Sequence, residues 1–368
     1  MLQPTKSKNP FSVSVTPNWE GLLRCLKRYG TPDRVYSIEL LMDDEARVAI
    51  AERFGLLEGL NPAAPFFGCQ RQLAVQRFLG YDYVRCGLDG LDVQLIRVAV
   101  QDTADLQRTG GRKFVDEHRG PITTWAEFEA YPWPDPAAAG TRSLEWYQAN
   151  LPEDMCIVGS GGFAHFAEYL IWLMGYETLC YALYEQRDLV AAIAARLGEI
   201  YRVVAQRMLE FDRVKIIWGA DDMGFRSGTL ISPKDLREFV LPGHKLMAQM
   251  AHAAGRPYLL HSCGNLRAIM EDLIEDVGID AKHSFEDTIE DVAEAKRRYG
   301  GRIAVLGGID MDFLCRASEA EVRERVRKTL AACQPGGGYC LGTGNSVANY
   351  LPLDNYLAML DEGRRFSL

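Results

Sequence analysis

The sequence predicts an α/β protein, a (β/α)8 TIM barrel. Three observations carry this: eight short β-rich runs, segments of helical period between them, and a length of 368 residues that one large barrel accommodates. The predicted strands are 34–40, 81–87, 155–159, 214–219, 257–261, 279–283, 302–306 and 338–342. The predicted helices are 43–54, 163–184, 188–211, 233–254, 266–277, 287–299 and 319–333. Strands that alternate with helices of this length pair in parallel, and the competing arrangement is an open doubly wound sheet.

Local signals fix several boundaries. Ser232-Pro233, with Asp235 in the first turn, starts a helix, and Tyr299-Gly300-Gly301 ends one. Two stretches fall outside a minimal barrel. Residues 1–32 are expected as an N-terminal arm, leaving 33–368 as a single catalytic domain. Within it, 88–150, with the run Tyr131-Pro132-Trp133-Pro134-Asp135-Pro136, is too long for a plain βα connection and is expected as an insertion after strand 2, near the barrel mouth.

Composition narrows the function classes. Apolar residues at 48% and charged residues at 25% match a folded globular chain. A net charge of −9 and the lack of a long basic run argue against nucleic acid and anionic membrane as partners. No stretch of signal-peptide or membrane-spanning character occurs, so a cytoplasmic location is the default expectation, with a homodimer left open. Nine scattered cysteines are expected as reduced thiols, available singly as ligands.

The sharpest local motif is His261-Ser262-Cys263-Gly264 at the end of strand 257–261. Positions i and i+2 of an extended segment share a side, so imidazole and thiol converge at the carboxyl end of a strand, where barrel active sites lie. Zinc accepts such an N/S pair, and a catalytic zinc needs one more protein ligand and an open position. The plain alternative is a buried thiol beside a hydrogen-bonded His. A second cluster, Trp218-Gly219-Ala220-Asp221-Asp222, runs a strand into two carboxylates. Either Asp can complete a metal shell, orient a ligand or act as acid or base, or else cap a helix or turn. Arg226 is placed to neutralise a substrate anion or to pair with one of these carboxylates.

The last unit, residues 336–347, offers Cys340 as a third metal ligand if it points inward, and Asn345 at the rim for substrate polar groups. Glu39, His165 and Glu168 lie near strand ends and are candidate substrate-binding residues, with capping or surface roles as the alternative. Gly159-Ser160-Gly161-Gly162-Phe163-Ala164 fits G-x-G-x-x-A, but the next strand returns too late for a dinucleotide unit. It reads as a loop for close packing or ligand approach.

Taken together, Asp221-Asp222 to Ser232-Pro233, Leu260-His261-Ser262-Cys263-Gly264-Asn265, Gly278-Ile279-Asp280, Gly307-Gly308-Ile309-Asp310 and Pro352-Leu353-Asp354-Asn355-Tyr356 resemble the uroporphyrinogen decarboxylase superfamily. Within it the chain is most similar to the zinc-dependent corrinoid methyltransferases, over residues 150–365 well and over the N-terminal third loosely. The resemblance implies a uroporphyrinogen decarboxylase-like barrel with zinc at its carboxyl face. It also shows departures. The arginine-rich signature for porphyrinogen carboxylates is missing from 34–44, so porphyrinogen decarboxylation is not expected. The slot of the second zinc cysteine in the coenzyme M methyltransferases holds Asn345, with Cys340 five residues earlier. Cys340 substitutes, or an acidic residue such as Asp222 or Glu168 completes the shell, or zinc is absent.

Corrinoid carriers display D-x-H-x-x-G, whereas this chain offers only Asp116-Glu117-His118-Arg119-Gly120, one residue short. A corrinoid (cobalamin) would therefore arrive on a separate protein. The leading expectation is a zinc-dependent methyltransferase moving a methyl group between a small substrate, a methoxylated aromatic (O-demethylation) or a thiol, and that corrinoid protein. Its site would be His261, Cys263 and Cys340 for metal, Asp221, Asp222 and Arg226 for catalysis. The alternatives are a metal-free decarboxylase or lyase acting on a small carboxylate, and a non-catalytic binding protein on the same fold.

Overall fold

A computed structural model of the chain describes residues 9–366. Nine strands are present among them: β1 (Tyr83–Cys86), β2 (Arg97–Val100), β3 (Arg112–Val115), β4 (Cys156–Gly159), β5 (Val214–Ala220), β6 (Tyr258–His261), β7 (Ala281–His283), β8 (Ala304–Leu306) and β9 (Tyr339–Cys340). Seven form one parallel sheet in the order β1-β4-β5-β6-β7-β8-β9, and β2 and β3 pair antiparallel on their own. The seven correspond in position to seven of the predicted strands. Each lies between helices and is almost wholly buried, as the two covered faces of a barrel wall require.

The eighth wall segment, residues 35–42, departs from a regular strand. It joins the end of the sheet at β9 through isolated parallel bridges, Ser37 with Leu341 and Met42 with Val347. The Ile38 amide donates to Leu341 O and the Leu341 amide to Tyr36 O, each at 2.8 Å. Its other edge meets β1 through side chains. The Tyr83 hydroxyl lies 2.8 Å from Glu39 N and 3.1 Å from Glu39 O, where a neighbouring main chain would otherwise sit, and Arg34 pairs with Asp82. The (β/α)8 cylinder is thus closed by main chain on one side of this segment and by a tyrosine ring on the other.

The helices follow the predicted pattern with instructive breaks. The stretch predicted as 163–184 starts at Phe166 and divides into Phe166–Met174 and Tyr176–Glu185. Gly161, Gly162 and Ala164 have positive φ and delay the start, and Gly175, at φ 80°, ψ 140°, ends the first helix. The predicted helix 233–254 contains a π turn, Leu236–Val240, in which the Leu241 amide bonds Leu236 O five residues back. This wide turn lies just ahead of Pro242, which has no N–H to give. Helix Glu319–Cys333 has the predicted bounds and starts with a Ser318–Glu321 capping box. Sequence reading missed Trp19–Leu26 in the expected arm, Phe67–Leu79 between the first two wall segments, and the terminal Leu353–Arg365.

Residues 88–150 hold the β2–β3 ribbon and the helices Trp125–Ala130 and Arg142–Asn150. This stretch is strapped onto the barrel where Tyr176 N donates to Glu117 O at 2.7 Å and Ile122 N to Leu173 O at 2.8 Å. Among the described residues no helix is long and apolar enough to cross a membrane.

Candidate metal centre at the strand ends

β5, β6 and β7 are neighbours in register, Ala220 opposite His261 and His261 opposite His283, so the residues that follow them share one rim. Asp222, two residues past β5, His261, the last of β6, and Cys263 bring one ligand atom each to within 4.8 Å of one another. His261 Nε2 stands 3.3 Å from Asp222 Oδ1 and 3.4 Å from Cys263 Sγ. The Cys263 amide donates to Asp222 Oδ1 at 2.8 Å and fixes that carboxylate. The Asn345 amide donates to Cys263 Sγ at 3.2 Å.

Behind the cluster lies a residue that sequence reading did not single out. His283 is fully buried, with Nδ1 2.7 Å from His261 Nδ1 and Nε2 3.3 Å from Thr343 O. Burial, then the nearby His261 and Lys282, holds it well below the ordinary histidine range, so it is neutral. A neutral ring that donates from Nε2 to a carbonyl must accept at Nδ1. His261 therefore donates from Nδ1 and turns Nε2 toward Asp222 and Cys263, as a lone pair when the ring is neutral. The signal was available, since His283 ends a predicted strand next to His261.

A proton on Cys263 Sγ and one on His261 Nε2 can both be directed at Asp222, and a metal ion would replace those protons. Burial raises the Asp222 pKa, but the contact with His261 and the Cys263 amide outweigh it and hold the group well below the ordinary carboxylate range. Burial and then the Asp222 charge push the Cys263 thiol well above its ordinary value. A cation is what makes that sulfur a thiolate. Imidazole nitrogen, thiolate sulfur and carboxylate oxygen are the donor types zinc takes, and the spacing suits one ion with a side left open.

The other expected site residues divide. Cys340 does not reach the cluster: it is fully buried and hydrogen-bonds the Cys25 thiol of helix Trp19–Leu26, so it belongs to the wall packing. Asp221 is also committed. Its carboxylate accepts from the amides of Ala167 at 2.8 Å and Glu168 at 2.9 Å and faces His244 Nε2 at 2.8 Å, which caps helix Phe166–Met174 and leaves no oxygen free for acid–base work. Arg226 is exposed in the hairpin closed by the Gly224–Thr229 bridge and pairs with no carboxylate among the described residues. Asp222 is the member of the predicted catalytic trio that enters the cluster.

His165 and Glu168 pair at 2.5 Å. Burial acts against the charged imidazole, but its Glu168 partner raises its pKa overall, while burial raises that of Glu168 despite His165. Glu168 and Asp222 share a cavity of about 590 Å³ with His118, Trp172 and Phe225. Glu39 is buried and accepts from the Thr343 amide at 2.8 Å and hydroxyl at 2.6 Å. Burial still pushes its carboxyl up to about 8.

A closed parallel barrel with its polar cluster on the carboxyl ends of adjoining strands defines a (β/α)8-barrel enzyme architecture. Residues 118–366 match the family model for uroporphyrinogen decarboxylase (URO-D), and the chain belongs to that family. Curated relatives include a uroporphyrinogen decarboxylase of Cupriavidus necator, 37% identical over 99 residues, 26% of each chain. A methylated-thiol–coenzyme M methyltransferase of Methanosarcina mazei is 32% identical over 133 residues, 36% of this chain and 33% of that one. The methylcobamide:CoM methyltransferase MtaA of Methanosarcina barkeri is 27% identical over 134 residues, 36% of this chain and 37% of that one. These three matches span 26% to 37% of the relatives' own length. A solved methyltransferase structure from Methanosarcina mazei shares the fold, with a TM-score of 0.66 at 19% identity over 94% of this chain and 97% of that one.

Proposed function

We propose that this protein is a zinc-dependent methyltransferase that moves a methyl group between a small substrate and a separate corrinoid protein. The observation that carries the reading is the convergence of Asp222, His261 and Cys263, with His261 Nε2 turned to their common centre. The methyltransferases among the relatives support it. In this reading Asp222 takes the place of the third ligand that Cys340 was expected to supply. Bound zinc would supply Lewis acidity at the heteroatom that loses or gains the methyl group.

The chain's own groups prepare that centre. His283 holds His261 in one tautomer, and the Cys263 amide holds Asp222 in place. The Asn345 amide donates to the Cys263 sulfur and disperses its charge. Glu168, paired with His165 behind it, lines the same cavity as Asp222 and can hold a proton at the substrate heteroatom.

The test is metal content followed by transfer. The full chain should carry about one zinc. Asp222→Ala, His261→Ala and Cys263→Ala should each lose most of it, and Cys340→Ala should keep it. The zinc-loaded chain should then move methyl groups to or from a purified corrinoid protein. Equal zinc in all four variants would contradict the site, and no transfer in either direction by the metal-replete chain would reject the activity in favour of a metal-free lyase or a binding protein.

A further inference from the structure

The metal cluster leaves one strong charge in the barrel wall unexplained. Arg85, on β1, turns its guanidinium over the Trp218 ring, 5.7 Å from its centroid, and donates from Nε to Ser160 Oγ at 3.0 Å. Among the described residues no carboxylate pairs with it, whereas Arg34, Arg77, Arg108 and Arg187 all have such partners. Burial lowers its pKa to about 10, which leaves it charged at neutral pH. Arg85 is half-buried, and a charge partly withdrawn from water without a counter-ion is costly, so its retention calls for a partner. Trp218, 1% exposed, adds an indole N–H with no hydrogen-bond partner in the same interior.

Arg85 and Ser160 border a cavity of about 240 Å³ at the seam between β1 and residues 35–42, lined also by Glu39, Arg47 and Gly161; Trp218 lies behind them and does not line it. Its acidic group does not neutralise Arg85: Glu39 is raised to about 8 and its oxygens are held by Thr343. Arg47 is engaged with Asp44 at 2.9 Å and Met42 O at 3.1 Å, so Arg85 is the uncommitted cation of this wall. The Gly159–Ala164 run now has a purpose. A Cβ on Gly87 would stand 1.9 Å from Ser160 O, so only glycine lets this loop press on the end of β1 and bring the Ser160 hydroxyl to Arg85. The edge of Trp218 packs on His283, 5.7 Å between centroids, and His283 holds His261. An anion on Arg85 would thus lie two ring contacts from the metal cluster.

We infer that Arg85, with Ser160 beside it, forms a subsite for the carboxylate of the small substrate, which is an organic acid rather than a neutral ether or thiol. Calling that ligand the substrate rests on the proposed methyl transfer; the carboxylate binding does not.

Calorimetry on the full chain, zinc-loaded and after chelation, tests this with benzoate, 4-methoxybenzoate, 4-methoxybenzamide and phenyl phosphate. Both carboxylates should bind at least tenfold more tightly than the amide in either metal state, as one charge-assisted pair supports roughly 10- to 100-fold. Arg85→Gln should erase that preference, and Arg85→Lys, which keeps the charge but not the fork, should fall between. Should Arg85→Gln fail to fold, Ser160→Ala decides: carboxylate affinity should drop several-fold while amide affinity stays.

Equal binding of amide and carboxylate, no carboxylate binding at millimolar concentration, or an unchanged preference in the decisive variant overturns the subsite. Tighter binding of phenyl phosphate than of benzoate, lost in Arg85→Gln, overturns the carboxylate assignment in favour of a phosphoryl ligand. Carboxylate preference in a chain that takes up no zinc and transfers no methyl group when offered both strikes the proposed function and leaves the subsite standing.

Discussion

His283 is not itself a proposed ligand, yet through its contact with His261 it decides which nitrogen of that ring faces the candidate metal centre. Its own Nε2 is occupied by the Thr343 carbonyl, so its Nδ1 can only accept. Replacing it with phenylalanine keeps the ring volume and removes the acceptor. His283→Phe should lower zinc affinity by about 10- to 100-fold while Asp222, His261 and Cys263 remain in place, as measured by competition with a chromophoric chelator. Unchanged affinity would show that the ligand set orients itself. At this scale the H-x-C motif was readable because i, i+2 geometry needs no tertiary information. Asp222 against Asp221 was not, because neighbours in sequence parted roles only when helix Phe166–Met174 presented its free amides to one of them. Cys340 shows the converse: its place on a strand was right, but the side of the wall it faces depends on helix Trp19–Leu26, which sequence reading missed.

The helical elements record where the chain must let another segment pass. Gly175 divides the predicted helix 163–184 at the point where residues 117–122 cross it, and a Cβ there would meet His118 O at 2.8 Å. Gly120, on the crossing strap, is as tightly placed, 2.1 Å from Leu173 O. Gly175→Ala should therefore destabilise the protein by about 1–3 kcal/mol in urea denaturation, through both the left-handed φ and the close contact. A loss below about 0.5 kcal/mol would mean that the strap yields freely. Periodicity found the apolar content of this stretch but could not place the break, because the reason for it lies in residues more than fifty positions earlier. Helix Phe67–Leu79 was invisible for another reason: only Val75 and Leu79 are buried on it, too few for a repeating apolar stripe.

At the scale of the whole molecule, two buried carboxyls add a falling component to the stability curve above pH 4. Burial lifts Asp82 to about 6 and Glu39 to about 8. A folded-state pKa above the unfolded value favours the fold while the group is protonated. Each contribution is therefore complete below the ordinary carboxylate range and is lost as pH rises through about 6 for Asp82 and about 8 for Glu39. His283 and Lys282, which burial holds low, act in the opposite sense, so the comparison of two proteins carries the reading: the urea midpoint of Glu39→Gln should gain on that of the unsubstituted chain as pH rises from about 5 to about 9. An identical pH dependence in the two would refute the assignment.

The barrel itself was the most readable feature, since seven buried parallel strands each carry a short β-rich run. The first wall segment was the exception because its pairing with β1 passes through the Tyr83 ring, which no local pattern announces. That exception has a mechanical consequence. A cylinder laced all round by main chain resists widening, whereas this one carries a slit along a single line. Counting round the wall, the slit faces the β6–β7 junction, where the two imidazoles meet. Main-chain lacing is continuous at that junction and interrupted on the opposite side, so the wall is least tightly tied where it lies farthest from the candidate ligands.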